Sequence, residues 1–226
     1  LSAEVVGRLN QSKTVSSPAG MVTSVDYNGN ASNEYSILER TDRNATHQWE
    51  EMAPAPISAQ IYDGIEIVNN KIYLVGGYNG SALYSLFRYD PVTNAWETLA
   101  NMQEARAGVS TAALGDKIYA ISGHNAGYHH LTVEVYDTKS NQWTDGPAIA
   151  QMIRQGAAIS IDGRLFVMGG INPQDSENSY NLVWELNDQG TQWIARSPMP
   201  IGRHGIKLLA LNGKIWVLSS SILQVY

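Results

Sequence analysis

The stretch KIYLVGGYNG at residues 71–80, followed by LFRYD at 86–90 and by Trp96, decides how this chain folds. The same order recurs as KIYAISG (117–123), VEVYD (133–137) and Trp143, and again as RLFVMGG (164–170), LVWEL (182–186) and Trp193. The tryptophans at 49, 96, 143 and 193 are 47, 47 and 50 residues apart. A self-similar period near 47 residues predicts a repeat architecture.

Composition excludes several classes of function. The 226 residues are 43% hydrophobic, which is enough for a packed core, and no apolar run is long enough for a membrane helix. The formal net charge is −6 and basic residues are scattered, which argues against nucleic acid or membrane as a partner. Cysteine is absent, which removes disulfides and thiolate chemistry. No signal peptide opens the sequence, and a cytoplasmic and an extracytoplasmic location both fit.

Each copy predicts four short antiparallel strands. Asp162-Gly163 and Asn212-Gly213 lie between the first and second strands, where such pairs supply the positive φ of a tight hairpin turn. The paired glycines predict a second strand that ends against a neighbouring backbone or at φ values forbidden to other residues. The tryptophan is predicted to anchor the outer strand against the next blade.

The glycine pair after the second strand, Tyr-Asp on the third and Trp on the fourth resemble the kelch motif. The resemblance implies an all-β, kelch-type β-propeller of four-stranded antiparallel blades, with about five blades and six as the alternative. One propeller domain over 1–226 is predicted, with repeats near 1–50 (degenerate), 51–96, 97–143, 144–193 and 194–226 (truncated). The strand around Val5-Val6 is predicted to close the truncated repeat; a sixth blade outside the sequence is the alternative.

The ligand face of kelch propellers implies a set of candidate binding residues. Arginine recurs just before the first strand of successive copies, and aromatic or polar residues follow the second strand. The predicted site residues are Arg106, Arg154, Arg203 and Gln60 in the first group, and Tyr78, His124 and Tyr27 in the second. By the resemblance, the arginines line an anion-binding pocket, and Arg grips carboxylate or phosphate in bidentate fashion. The alternative is that each arginine bonds carbonyls of a neighbouring blade and serves cohesion.

Catalytic signatures are missing from the sequence: it has no Gly-x-Ser-x-Gly elbow, no phosphate-binding glycine loop and no His-Glu-x-x-His. His124, His129 and His130 share one loop but lack a carboxylate at ligand spacing, so neither a metal nor another cofactor is predicted. Two functions remain open. One is a non-enzymatic module that binds a protein or an acidic peptide. The other, similar to the sialic acid mutarotases, acts on an acidic sugar and requires a glutamate such as Glu104 or Glu177 beside the arginines.

Overall fold

The computed structural model describes residues 21–25, 31–38, 50–56, 64–172, 175–219 and 222–226. The chain divides into two compact units, Leu1–Glu51 and Met52–Tyr226. In the first unit, β1 (Met21–Val25) and β2 (Ala31–Leu38) pair as an antiparallel hairpin. The described residues include no helix that is long and apolar enough to cross a membrane.

In the described part of the second unit, Met52–Tyr226, four antiparallel sheets form blades, one for each of the later repeats. The first blade consists of β3 (Gly64–Val68), β4 (Lys71–Val75), β5 (Leu86–Asp90) and β6 (Ala95–Thr98). The second blade consists of β7 (Ser110–Leu114), β8 (Lys117–Ile121), β11 (Val133–Asp137) and β12 (Gln142–Asp145). The third consists of β13 (Ala157–Ile161), β14 (Arg164–Met168), β17 (Val183–Leu186) and β18 (Trp193–Ala195). The fourth consists of β19 (Lys207–Leu211), β20 (Lys214–Ser219) and β21 (Ile222–Val225). Small hairpins, β9 (His124–Asn125) with β10 (Tyr128–His129) and β15 (Ile171–Asn172) with β16 (Asp175–Ser179), follow the second strands of two blades.

Hydrophobic clusters lie between consecutive blades. The inner strand β7 packs against β3 and β13, and β13 packs against β19. Tyr73 and Leu86 of the first blade share a cluster with Ile118 and Tyr136 of the second. Equivalent clusters join the second blade to the third and the third to the fourth. The predicted all-β kelch-type propeller of antiparallel blades is confirmed; the expected closing strand at Val5-Val6 lies outside the described residues.

The predicted turns have the predicted backbone. Asp162 and Gly163 have φ of 51° and 73°, and Asn212 and Gly213 have φ of 54° and 67°. Both residues of each turn are therefore left-handed, as in the hairpin turn whose twist matches its strands.

The glycine pairs end the second strands against the next blade. Gly76 has φ of 61°, and a Cβ on it would lie 2.8 Å from the carbonyl oxygen of Arg106. The Gly77 amide donates to that same oxygen at 3.0 Å, and the Gly170 amide donates to the Arg203 oxygen at 2.7 Å. Both predicted reasons for glycine, positive φ and close approach of a neighbouring backbone, are confirmed.

The tryptophans contact the side of the preceding blade, whereas contact with the next blade was predicted. Trp143 Nε1 donates to the carbonyl oxygen of Ala100 at 2.7 Å, and Ala100 lies in the linker that arrives from the first blade. Its ring packs on the cluster shared by the first and second blades. The prediction of contact with the next blade was wrong, because the outer strand turns its tryptophan towards the linker that enters its own blade.

Candidate ligand-binding face

The loops that follow the second strands meet the segments that enter their own blade and the next blade. β-Bridges pair Leu83 with Arg106, Ala107 with His124, and Arg154 with Ile171. These pairings bring the loop residues and arginines of successive copies to the same end of the blades. Tyr27 and Gln60 lie outside the described residues.

A cavity of about 280 Å³ opens between the loop of the first blade and that of the second. Tyr78 and His124 both line it, together with backbone from Gly80 to Ala82 and from Asn125 to Gly127. Tyr78 is 37% exposed, so its ring and hydroxyl are accessible. The cavity therefore has an aromatic wall, an imidazole and several small residues around it, a mixture suited to a side chain of a partner.

A cationic cluster surrounds Gly108, directly beside this cavity. A Cβ on Gly108 would lie 3.3 Å from His124 Nδ1 and 3.6 Å from Arg154 Cγ. The His129 ring lies 6.0 Å from the His124 ring, centroid to centroid. Burial lowers the pKa of His129 below its usual value, and the nearby charges of His124 and Arg154 lower it further. Near neutral pH these features favour a neutral His129 beside the permanent charge of Arg154.

Arg154 is exposed, and its side chain makes no hydrogen bond or ion pair within the described ranges. Its backbone is held, because the Ile171 amide donates to the Arg154 oxygen at 2.8 Å. A guanidinium on a fixed backbone can offer its planar edge to a carboxylate.

Arg106 also precedes the first strand of its blade, but its side chain is 0% exposed. It stands one residue earlier in the repeat than Arg154, because Ala107 bridges His124 as Arg154 bridges Ile171. Nε and Nη2 donate to Glu134 Oε1 at 3.2 and 3.1 Å, and Nη2 also reaches Glu104 Oε2 at 2.8 Å. Nη1 donates to the carbonyl oxygens of Ser122 at 2.6 Å and Thr132 at 3.1 Å. All three guanidinium nitrogens are thus engaged inside the protein, and Arg106 braces the segment that enters the second blade.

Glu134 explains why Arg106 is buried. It lies in β11 opposite Ala120, is itself 2% exposed, and also accepts from the backbone amides of Gln103 and Glu104 at 2.6 and 3.1 Å. In the third blade, Trp184 has the equivalent position opposite Val167, and the buried Ile153 has the place of Arg106. The whole ion pair is therefore replaced in that blade, and Arg154, one residue later, faces outwards.

Arg203, before the fourth blade, has the same place in its repeat as Arg106, because the Gly170 amide donates to its oxygen as the Gly77 amide donates to that of Arg106. Gln224 stands opposite Val217, at the position that corresponds to Glu134. The Arg203 Nε and Nη2 atoms are buried, and neither has a hydrogen-bond partner in the part of the chain that the structure describes.

His130 belongs to the buried arginine rather than to the cavity. Its Nδ1 lies 3.0 Å from Glu104 Oε2. Burial lowers the pKa of His130, and the charge of Arg106 acts in the same direction. Across the described ranges, no three His, Asp or Glu side chains converge as metal ligands would.

Comparison with known proteins adds the family context. The model of the KLHDC2/KLHL20/DRC7 Kelch-repeats domain matches residues 24–220. Kelch repeat-containing protein kel-10 of Caenorhabditis elegans is 33% identical over 123 residues, which cover 52% of this chain and 21% of that protein. Kelch repeat protein C2 of Vaccinia virus (strain Western Reserve) is 27% identical over 165 residues, which cover 71% of this chain and 31% of that protein. Beta-scruin of Limulus polyphemus is 23% identical over 176 residues, 72% of this chain and 19% of that protein. The chain thus spans a third or less of the length of these relatives.

Proposed function

This chain belongs to the kelch-repeat family, and from that premise we propose that it is a non-enzymatic binding module for a partner protein. The bound segment is acidic, and it lies on the loop face around Tyr78, His124 and Arg154. Three of the predicted site residues contribute to this face directly. Arg106 contributes as the brace beneath it.

The exposed guanidinium of Arg154 is the observation that carries the proposal. Two other arginines of the third blade, Arg164 and Arg196, are both paired with Glu185. Arg154 has backbone support and no internal acceptor among the described residues. A carboxylate of the partner can accept from two nitrogens of this guanidinium. Tyr78 adds an exposed aromatic surface, which is typical of residues that dominate binding energy.

An acidic sugar has less support than a peptide. Catalysis on such a sugar requires a carboxylate and an arginine that both face the ligand. Glu104 does stand beside Arg106, but the two are bonded to each other, and Glu104 also accepts from Thr132. Neither Glu104 nor Arg106 is therefore available to face a sugar as catalysis would require.

Fluorescence anisotropy with labelled peptides tests the proposal. We expect peptides rich in glutamate to bind, and their glutamine counterparts to bind about tenfold more weakly, because a charge-assisted bond to Arg154 is lost. Arg154→Ala should weaken the acidic peptides by a similar factor. Lys214→Ala is the matched control, because it removes one exposed positive charge at the opposite end of its blade.

Three outcomes would count against the proposal. Equal binding of glutamate and glutamine peptides would show that the negative charge of the peptide does not contribute to binding. Wild-type affinity in Arg154→Ala would show that Arg154 does not bind the peptide. Saturable binding of N-acetylneuraminate with no peptide binding would favour the acidic-sugar function.

A further inference from the structure

In the first and second blades, a repeated unit of three hydrogen bonds joins the outer strand to the linker that enters the blade. In the second blade, the Tyr136 hydroxyl donates to Asn141 Oδ1 at 2.9 Å, and the Ala100 amide donates to the same oxygen at 2.9 Å. Trp143 Nε1 then donates to the Ala100 carbonyl at 2.7 Å. The first blade has the same three bonds, at 2.7, 2.7 and 2.8 Å, among Tyr89, Asn94, Ala53 and Trp96.

The third blade keeps only the tryptophan bond of this unit. Trp193 Nε1 donates to the Pro147 carbonyl at 2.8 Å. Leu186 replaces the tyrosine and Thr191 replaces the asparagine. Pro147 has no amide hydrogen, so the linker no longer needs the acceptor that asparagine provides. Because Leu186 stands where the other two units have tyrosine, this unit has no phenol ring.

The hairpin turns between the second and third blades also lack side chains that the turns between the first and second blades have. Between the first and second blades, Asn69 Nδ2 donates to Asp116 Oδ1 at 3.0 Å. Between the second and third blades, the corresponding residues are Gly115 and Gly163. Neither glycine has a side chain to close the gap.

These replacements coincide with a cavity of about 550 Å³ between the second and third blades. Its apolar wall includes Tyr119, Leu165 and Leu186, and its polar rim includes Thr191, Asp145 and Asp188. At the preceding joint, the Tyr73 and Tyr136 rings lie 6.3 Å apart, centroid to centroid. Tyr119 corresponds to Tyr73, but Leu186 offers it no ring.

We infer that this cavity is a docking site for a tyrosine side chain of a partner protein. The intramolecular tyrosines of the first two units show which group fits this place in the repeat: a ring against the blade core with its hydroxyl towards the polar rim. The volume lies within the range of about 300–1,000 Å³ usual for ligand sites, which leaves room for residues that flank the tyrosine. Exposed carboxylates of Asp145 and Asp188 can accept the phenol proton.

The site is separate from the loop face. Lys117 at the start of β8 lines this cavity, whereas His124 follows the end of β8 and lines the loop-face cavity. The inference therefore does not depend on acidic-peptide binding, and the dispersion of the amide NMR spectrum serves as the check that a variant is folded.

Titration of the whole chain with p-cresol, the analogue of a tyrosine side chain, tests the inference by amide NMR. We expect saturable shifts at the lining amides of Gly146, Gly163 and Gly190. Toluene should bind about fivefold more weakly, because it cannot make the hydroxyl bond. The blocked tripeptide Gly-Tyr-Gly should shift the same amides, and its phenylalanine counterpart should bind more weakly.

Two variants fill the cavity in different ways. Leu186→Tyr with Thr191→Asn restores the ring and acceptor of the other units, and should weaken p-cresol about tenfold or more by occupying its place. Gly163→Asn narrows the mouth without touching the core: a Cβ there has open space, and Asn tolerates its φ of 73°. Both variants should bind acidic peptides as the wild type does.

The inference is overturned if p-cresol shifts scatter over the surface, or if toluene binds as tightly. Undiminished p-cresol binding in Gly163→Asn and the double variant would also overturn it. Binding of p-cresol without any binding of the tyrosine tripeptide would show a site for a small phenol rather than for a protein partner.

Discussion

Arg106 and Arg154 both precede the first strand of a blade, yet one is wholly buried and the other is exposed. They stand one residue apart in the repeat: the Gly77 amide donates to the Arg106 oxygen, whereas the Gly123 amide donates to the Ile153 oxygen, so Ile153 has the place of Arg106. Successive residues of an extended segment face opposite sides, so Arg154 faces outwards where Arg106 faces inwards. The position of an arginine within the repeat therefore decides whether it is structural or available for a ligand.

Removal of Arg106 should have the largest effect. Arg106→Ala leaves the Glu134 carboxylate buried with only two backbone donors, and loss of one member of a buried ion pair typically costs about 3–5 kcal/mol. We expect a decrease of that order in the free energy of unfolding, measured in urea. Arg154→Ala should change it by less than about 0.5 kcal/mol, since exposed residues without partners rarely matter for stability.

The double variant Arg106→Met with Glu134→Gln separates lost charge pairing from lost packing. It keeps an acceptor for the Gln103 and Glu104 amides and leaves no buried charge. We expect it to recover part of the stability lost in Arg106→Ala. If Arg106→Ala and Arg154→Ala have equal stability, the contrast between the two arginines is wrong.

The buried ion pair should be transferable to the third blade. Ile153→Arg alone places a charge where Arg106 stands in the second blade but leaves it beside Trp184, so it should lower the free energy of unfolding by about 3 kcal/mol or more. Ile153→Arg with Trp184→Glu supplies the missing carboxylate and should recover part of that loss. Urea unfolding measures both variants, and anisotropy should show that acidic peptides still bind through Arg154.

Ile153→Arg with Trp184→Gln is the control for the lost indole, because glutamine has nearly the shape of glutamate without its charge. It should be less stable than Ile153→Arg with Trp184→Glu. Equal stabilities of these two variants would mean that position 153 does not face position 184 as Arg106 faces Glu134.

Sequence alone predicted the repeats, the turns and the glycine pairs because each depends on local chemistry. The left-handed Asp162 and Gly163 are one example, since Asp-Gly favours that conformation wherever it occurs. The loop-face positions of Tyr78 and His124 followed from the repeat register, and the structure brings both to one cavity. Whether they bind the predicted ligand stays a prediction.

The difference between the arginines was not predicted, because the prediction placed all three at one position and left cohesion and ligand binding equally open. One signal was their spacing: Arg106 lies 11 residues before Lys117, whereas Arg154 lies only 10 residues before Arg164. Glu134 was a second signal, since it interrupts an apolar strand where the other copies have aromatic residues. A charged residue in a buried strand requires a partner of opposite charge. The direction of Trp143 was missed for a related reason, since periodicity gives spacing and not the side of the strand that faces a linker.

The smallest expected effect concerns pH, and it should arise at Arg154 and not at Arg106. Burial and the charges of His124 and Arg154 lower the pKa of His129, so the unfolded chain holds this proton more tightly than the folded chain. The folded protein should therefore lose stability as pH falls below about 6.5, the ordinary histidine value.

The affinity for acidic peptides should depend on pH in the opposite direction. A carboxylate bound at Arg154 offsets the repulsion and raises the pKa of His129. Acidic-peptide affinity should therefore rise about two- to threefold between roughly pH 7.5 and 5.5, which lies above the range where glutamate itself protonates. His129→Gln should remove this rise. His130→Gln should keep it, because His130 lies against Glu104 and Arg106. If instead His130→Gln abolishes the rise and His129→Gln does not, the titrating charge belongs to the buried arginine, and the ligand site has been assigned to the wrong repeat.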